Sequence, residues 1–459
     1  MPCSFFAGFI TAAVLFYAAE TPCRIEIREQ GTNDPVPLVE LRTTHQQRFV
    51  SDNAGVIAVD SPELMNQEVW FDVNGYGYDV KPDAFGSKGV RLVPEYGKTL
   101  RIDVQRKNIA KRLGRLTGAG LFAESQKCSR EPFPAEPETG VFGCDSVQNA
   151  VYKGRLFWIW GDTTLPHYPL GIFHATGATT KIRPFDPLKV PLRLKYSYFT
   201  DSAGKPRSVA VMPGRGPTWL SGLVVLPDKN GTEHLVAGYA KITPPLEIDE
   251  FGLCRWNDAA ESFEKLRTVW TKNKNNPEPP VLPEGHASLG TDKDGKRRVL
   301  FGNPFPVLRC PASYEAFLNP ETWERLTPQK TVRSAAGNVP VEPHTGSIGW
   351  SGYRKKWIAV FSQKSGKPAA FGEIWYAEAD DPAGPWENAV KILSHGNYTF
   401  YNPRLHTECL EADSKFLLFE GTFSAMFADR PQPVPRYDYN QLLYRLDLDD
   451  PALKPASNK

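Results

Sequence analysis

The chain has 459 residues, with 54 Lys and Arg against 52 Asp and Glu, and 41% of its residues are hydrophobic. This near-neutral charge excludes a basic nucleic-acid binder and an acidic tail protein, and the apolar content excludes a disordered chain. The 37 Gly, 41 Pro and 12% aromatic residues disfavour long helices and favour short strands joined by turns. We therefore predict an all-β protein with many loops.

The chain begins with an apolar run over residues 5–19. The run is shorter than the roughly 20 residues that span a membrane, and small residues precede the polar sequence that begins at Glu20. We predict a signal peptide over residues 1–19, and hence a secreted or periplasmic protein with no transmembrane segment in its mature chain. An uncleaved anchor is the alternative, because no Lys or Arg precedes the run.

Six Cys follow the predicted cleavage point, an even number that permits disulfides in an exported protein. Cys128 and Cys144 flank a Pro-rich segment. We predict that these two residues form a pair.

Residues 20–105 alternate between short strands and turn clusters such as GTNDP and SDNAG. This pattern predicts a small β-sandwich. The D-x-x-G turn at Asp52, followed by a strand and then by VNGY, resembles carboxypeptidase-regulatory-like (transthyretin-like) modules. Such modules support a neighbouring domain or bind a ligand, and we find no catalytic cluster in this one.

Residues 106–140 are predicted to link this sandwich to the rest of the chain and to lead into the next domain. Basic residues are frequent at this junction; they are Arg101, Arg106, Lys107, Lys111, Arg112 and Arg115. We interpret them as a solvated face, with a patch for a polyanion as the alternative.

Residues 141–452 contain five segments that share one pattern, a polar residue, a strand, a turn and a strongly apolar second strand. Further strands follow most of these pairs, as in FGLCRWND and GEIWYAEAD. Four strands in each of five units predict a five-bladed β-propeller.

Polar residues recur at similar positions in the first strands of these units. Nine residues before four of the turns stand Asp145, His286, His344 and Arg404. The second unit offers Trp219, the fifth continues to His406 and Glu408, and the second strand of the first unit ends at Asp162. Because the first strand of each blade lines the propeller axis, we expect these side chains to meet at one mouth of the channel. Such a group of ionisable residues predicts a functional site.

The first-unit run CDSVQNAVYKGRLFWIWGDTTL and the later run GEIWYAEADDPAGPW resemble secreted five-bladed propeller proteins, including glycoside hydrolases of families 43, 117 and 183. The resemblance covers roughly residues 115–450. It implies an acidic base or nucleophile at the start of the first blade, which Asp145 matches. A second carboxylate that sets pKa values is also implied, for which Asp162 is the candidate. The proton donor of these families comes from a later blade, where this chain offers Glu342, Glu408 and Glu420. We assign that role to Glu408.

The predicted function is therefore hydrolysis of a glycosidic bond in a poly- or oligosaccharide. Substrate would be bound by Trp219, His286, His344, Arg404 and His406. One alternative is a carbohydrate-binding or cell-surface propeller without turnover. Another is a metal-dependent polysaccharide lyase or esterase, in which the three histidines and Asp145 would hold a divalent metal. No cofactor is certain from the sequence, and no nucleic-acid partner is expected.

Overall fold

The computed structural model of the chain describes residues 20–128, 140–181, 185–192, 194–292, 294–428 and 432–457. The predicted signal peptide, residues 1–19, lies outside this range, so export stays a prediction. Within the described residues, no helix has the length and apolar character needed to cross a membrane.

The first eight strands form two four-stranded sheets that face each other across one apolar core. One sheet has the order Val56–Val59, Cys23–Glu29, Thr99–Arg106 and Tyr78–Asp79. The other has the order Arg48–Val50, Glu40–Thr43, Val69–Asn74 and Gly89–Leu92. In strand Cys23–Glu29, alternate side chains are buried in the core between the sheets, as expected for a sandwich. This arrangement is the β-sandwich predicted from the sequence.

Five four-stranded antiparallel sheets follow, as predicted, and form the blades of a propeller. The first four blades take their strands in chain order. They are Gln148–Tyr152, Arg155–Trp160, Thr176–Lys181 and Ser197–Tyr198; Thr218–Pro227, Glu233–Thr243, Glu247–Asn257 and Ser262–Thr271; His286–Thr291, Arg297–Gly302, Pro306–Pro311 and Glu324–Arg325; and Pro343–Ser351, Lys356–Gln363, Glu373–Ala379 and Glu387–Ser394. The first strand of each blade is its inner strand.

The fifth blade combines both ends of the propeller. Its strands are Thr399–Leu405, Phe416–Ser424, Asn440–Asp447 and, from before the first blade, Lys111–Arg115. The last pairing closes the ring, because a late strand hydrogen-bonds to an early one. The segment predicted to be a linker therefore supplies the outer strand of the fifth blade.

Smaller elements connect the strands of the sandwich and of the blades. Short sheets are formed by Gly143–Cys144, Thr163–Leu165 and Tyr168–Ile172, and by Val332–Arg333 and Pro340–Val341. The helices are Ala123–Cys128, Tyr314–Leu318 and Lys454–Ser457, with 3-10 turns at Pro62–Leu64, Pro320–Thr322, Thr407–Cys409 and Pro451–Leu453.

The basic residues of the closing strand are buried, which corrects their interpretation as a solvated face or a polyanion patch. Lys111 forms ion pairs of 2.5 Å with both Glu29 and Asp34 of the sandwich. The Arg112 guanidinium is 1% exposed and donates hydrogen bonds of 2.8–3.1 Å to sandwich carbonyls, those of Pro37, Leu38, Gly75 and Tyr76. These cations fasten the sandwich to the strand that closes the propeller.

Replacing Arg112 by Met is expected to lower the free energy of unfolding by about 3–5 kcal/mol, because several buried carbonyls lose their donor at once. Urea unfolding measures this change. Arg101→Met is the matched control, since Arg101 is half exposed and, among the described residues, pairs with Asp103 alone; it should change stability little. Equal effects of the two substitutions would show that Arg112 does not fasten the two parts together.

The predicted Cys128–Cys144 pair is wrong. The thiols of Cys128 and Cys144, like those of the other four described cysteines, are free. Cys128 ends the helix Ala123–Cys128, which packs on the sandwich strand Val56–Val59, whereas Cys144 is buried beside the first blade. The count of cysteines could not reveal that the two residues belong to different packing units.

Candidate functional site

The starts of the inner strands meet at one mouth of the propeller, and the two candidate aspartates of the first blade lie there together. The backbone N–H of Asp145 donates to the carbonyl of Asp162 at 3.2 Å, and Gly161 N–H donates to the Asp145 carbonyl at 2.8 Å. A Cβ at position 161 would collide with the Asp145 carboxylate. Glycine therefore permits the close approach that brings both carboxyl groups to the same place.

Hydroxyl groups hold the Asp145 carboxylate. The Tyr401 hydroxyl donates to Oδ2 of Asp145 at 3.1 Å, and the hydroxyls of Tyr439 and Ser146 also hydrogen-bond this carboxylate. Burial raises the pKa of Asp145, and these hydrogen bonds oppose the rise by stabilising its charged form. The result is an ionisable group fixed in orientation at the channel mouth.

Asp162 is the less acidic partner of this pair. Burial, followed by the negative charge of Asp145, raises the pKa of Asp162 to about 7, although the Trp219 indole lowers it by donating a hydrogen bond. The distance from Trp219 Nε1 to Asp162 Oδ1 is 3.1 Å. Asp162 therefore stays largely protonated below about pH 7, and ionisation of Asp145 disfavours its ionisation further.

The backbone around Asp145 is strained at four positions. Ser146, Asn402, Tyr439 and Phe427 have φ values of 54°, 52°, 57° and 59°. Residues other than glycine rarely adopt this left-handed region, and such strain clusters at functional sites. Phe427 is also exposed, and it contacts the Tyr401 ring edge-on at a centroid distance of 6.4 Å.

The count from the turns predicted that Arg404 lies at the height of Asp145. The structure places Arg404 elsewhere. Its Nε donates to Oδ1 of Asn149 at 2.8 Å, four residues further along the first inner strand. The pairing of the fifth inner strand shifts between Tyr401 and Arg404, at a β-bulge. Tyr401 therefore occupies the expected height, and Arg404 lies deeper in the channel.

His406 and Glu408 lie deeper still, in a buried ion-pair network. His406 Nδ1 is 3.2 Å from Glu408 Oε1, and its Nε2 is 3.1 Å from Oε1 of the fully buried Glu420. Although burial alone would lower the pKa of His406, its bonds to the two glutamates raise it to about 9. The network therefore holds a protonated imidazole between two carboxylates.

This raised pKa predicts how stability depends on pH. Because the folded pKa of His406 is about 9 against an ordinary 6.5, its stabilising contribution is complete below about pH 6.5 and is lost as the pH rises through 9. We expect the free energy of unfolding to fall by on the order of 3 kcal/mol over this interval. Urea unfolding at pH 6 and pH 9 measures the fall.

His406→Gln should remove most of this pH dependence as well as lowering stability. His45→Gln is the control, since His45 is an exposed sandwich residue. An unchanged pH slope in the His406 variant would contradict the ion-pair assignment.

The structure does not bring the three candidate histidines and Asp145 to one point. The His344 ring stacks on Phe371 at a centroid distance of 4.0 Å, and His286 is buried near Arg404 and His406. Within the described residues, the one group with ligand atoms at metal-binding separations is His406, Glu408 and Cys409. The imidazole of that group is held protonated between carboxylates, so it is a poor metal ligand. The predicted histidine-based metal set is therefore not assembled.

The environment of Glu408 disagrees with its assignment as proton donor. Burial raises the pKa of Glu408, but Arg404 and His406 outweigh burial and bring it down to about 2. A general acid has to be protonated near the working pH, and a carboxyl group with this pKa is ionised there. Its bonds to Asn149 and His406 also turn it away from Asp145 and into the network.

Sequence reasoning passed over one further carboxyl group near the start of an inner strand, that of Glu284. It stands two residues before the inner strand of the third blade, and Gly222 N–H of the second inner strand donates to the adjoining Gly285 carbonyl at 2.7 Å. Burial raises the pKa of Glu284, and its side chain has no hydrogen-bond or ion-pair partner among the described residues. The sequence signal was available, because Glu284 opens the third repeat two residues before His286.

No protein-family model matches the chain, and no curated protein sequence matches it. Several solved structures are similar in fold. An exo-1,5-α-L-arabinanase from a bovine ruminal metagenomic library is 13% identical, with a TM-score of 0.38 over 69% of this chain and 95% of that chain. A GH43 endo-arabinanase from Bacillus licheniformis is 12% identical, with a TM-score of 0.35 over 66% and 93%.

A GH43 enzyme from Xanthomonas citri, solved with xylose, is 8% identical, with a TM-score of 0.37 over 68% of this chain and 88% of that chain. The number of blades, five, is counted from the sheets of this chain and does not depend on these similar structures. The substrates in these names belong to those proteins.

Proposed function

We propose that the chain is a glycoside hydrolase that acts on a poly- or oligosaccharide at the Asp145 mouth of the propeller. The observation that carries the proposal is the paired carboxyl groups of Asp145 and Asp162, whose pKa values are both raised and which lie beside the Trp219 indole. Glycoside hydrolysis requires an ionised carboxyl group on one side of the scissile bond and a protonated one on the other. The Asp145–Asp162 pair would supply the ionised group and the neighbour that sets its pH range. The motif resemblance of the first blade to five-bladed hydrolases supports the same reading.

Asp145 is the proposed base or nucleophile. Its ionised carboxylate either takes a proton from the attacking water or bonds to the anomeric carbon, according to the stereochemical course. The hydroxyls of Tyr401 and Tyr439 favour its ionised form against the effect of burial, and they orient it. Asp162 adds a nearby charge that titrates near pH 7 and so sets the pH range of the pair.

Glu284 replaces Glu408 as the proposed proton donor. It carries no hydrogen-bond partner among the described residues and is kept protonated to higher pH by burial. It would give its proton to the glycosidic oxygen as the leaving sugar departs. Trp219 and His344 are the proposed substrate contacts at the mouth, whereas His286, Arg404 and His406 stabilise the channel below it.

The test is release of sugars from neutral polysaccharides (a xylan, an arabinan, a galactan and a β-glucan) and from acidic ones, with and without a chelator. The variant Asp145→Asn, purified in parallel, measures the background activity of contaminating hydrolases, which is then subtracted. We expect the wild type to hydrolyse at least one of these polysaccharides, and we expect the chelator to leave the rate unchanged. Loss of activity on chelation would favour a metal-dependent lyase or esterase, and binding without product would favour a non-catalytic propeller; either result would overturn the proposal.

Removing the Asp162 charge should change the pH profile of this reaction. Since the pKa of Asp162 is about 7, it gains negative charge as the pH rises through neutrality and then opposes further ionisation nearby. Asp162→Asn is expected to shift the alkaline inflection of kcat/KM against pH downward by about one pH unit and to lower the maximum about tenfold, whereas the acidic inflection, reached while Asp162 is still protonated, should move little. A profile with an unchanged alkaline inflection would show that Asp162 does not set it.

A further inference from the structure

A second pocket opens on the face of the propeller opposite Asp145. Its volume is about 500 Å³, and it lies between the third and fourth blades. The inner strand His286–Thr291 starts near the Asp145 mouth, and its last residues, Gly290 and Thr291, line this pocket. The pocket is therefore separated from the proposed active site by the length of an inner strand.

One wall of the pocket contains Trp357, and a second, more exposed tryptophan packs beside it. Trp357 lines it and is 5% exposed, and its indole N–H has no hydrogen-bond partner among the described residues although it is not sealed off from solvent. Gly290 leaves room for this ring, since a Cβ there would lie 2.6 Å from Trp357 Cζ2. Trp350 packs edge-on against Trp357 at a centroid distance of 6.0 Å and is 49% exposed.

Polar groups in fixed positions face these rings. Arg298 Nε donates to Oδ2 of Asp292 at 2.8 Å, and both side chains are largely buried. The other N–H groups of Arg298 have no partner among the described residues. Asp294 adds carboxylate oxygens at the pocket rim. Apolar surface with a few oriented donors and acceptors is what a small polar ligand requires.

The chemistry of these walls selects the ligand class. A sugar ring offers an apolar C–H face, which packs on an aromatic ring, and hydroxyl groups at its edge, which bond to carboxylates and guanidinium groups. Four aspartates line the pocket against two arginines; they are Asp292, Asp294, Asp380 and Asp381. Asp292 pairs with Arg298, and Asp380 pairs with Lys356. Because these charges are already paired within the protein, the pocket attracts the charge of an acidic sugar little, which favours a neutral one.

We propose that the pocket beside Trp350 and Trp357 is a second, non-catalytic binding site for a segment of a neutral polysaccharide. The choice of a glycan as the ligand rests on the proposed hydrolase function. Binding on the far face would hold a long polymer to the enzyme and raise its effective concentration at the Asp145 mouth, provided that the polymer is long enough to reach both faces.

Affinity gel electrophoresis in the same neutral polysaccharides tests the proposal on the full chain. Trp350→Ala and Arg298→Gln should each weaken retardation about tenfold, while Trp350→Phe keeps most of it because an aromatic face remains. Hydrolysis of a short aryl glycoside should be unchanged in these variants, since it does not reach the far face. Thermal unfolding confirms that each variant is folded.

The outcomes separate this proposal from the proposed activity. Retardation that depends on Trp350 without any hydrolysis would support the second site and overturn the hydrolase. Two results would overturn the second site. One is hydrolysis together with retardation that does not change when Trp350 or Arg298 is replaced. The other is that no neutral polysaccharide retards the wild type. If calcium chloride raises the thermal stability of the wild type but not that of Asp292→Asn, the pocket binds a cation instead. This result too would overturn the glycan assignment.

Discussion

Replacing Asp145 by Asn is expected to lower kcat/KM for glycoside hydrolysis by at least about 10³-fold. The amide cannot take a proton from water and is a poor nucleophile, so it loses both roles proposed for this carboxylate. A loss of that size corresponds to about 4 kcal/mol of transition-state stabilisation. Initial rates on the best polysaccharide of the panel, with substrate below KM, measure it.

Two further sets of variants sharpen this result. Tyr401→Phe and Tyr439→Phe each remove one hydroxyl that stabilises the charged form of Asp145, and each should raise its pKa and move the acidic limb of the pH profile upward. Asp201→Asn, at the outer edge of the same blade, removes an exposed carboxylate and should leave the rate unchanged. Activity of Asp145→Asn within tenfold of wild type would exclude Asp145 from the chemistry.

The blades were predictable because each has a strong local signal. A turn followed by a strongly apolar second strand, such as RLFWIW in Arg155–Trp160, marks every unit and is buried in the structure. The closing strand Lys111–Arg115 carries no such signal, since three of its five residues are basic. It is buried only because the sandwich supplies carboxylates and carbonyls that pair with those cations, and no local pattern predicts such distant partners.

The site was predictable in part for a similar reason. Asp145, Asp162 and Trp219 come together because they stand at the start or end of strands whose bounds the sequence shows. Counting from the turns misplaced Arg404, because a β-bulge offsets the register of the fifth inner strand. In the third unit the same count selected His286 and passed over Glu284.

Replacing Glu284 by Gln is expected to lower kcat/KM about 10²–10⁴-fold on natural polysaccharides, because the leaving sugar alkoxide then departs without a proton. The size of the loss should depend on the leaving group. An aryl glycoside whose phenol has a low pKa needs little protonation, so the variant should retain most of its rate on that substrate. Rates on a series of aryl glycosides, plotted against the pKa of the phenol, measure this dependence.

The same substitution should also remove the alkaline limb of the pH profile. A general acid is active in its protonated form, so the rate falls as the pH rises through the pKa of Glu284, which burial raises. Gln does not titrate there, and the limb should disappear on the natural substrate.

Glu408→Gln is the matched comparison for Glu284→Gln. It removes an ion-pair partner of His406 and should lower stability without any dependence on the leaving group. If Glu408→Gln instead shows the leaving-group dependence and Glu284→Gln does not, the proton donor is Glu408, and the free carboxyl group of Glu284 serves another purpose.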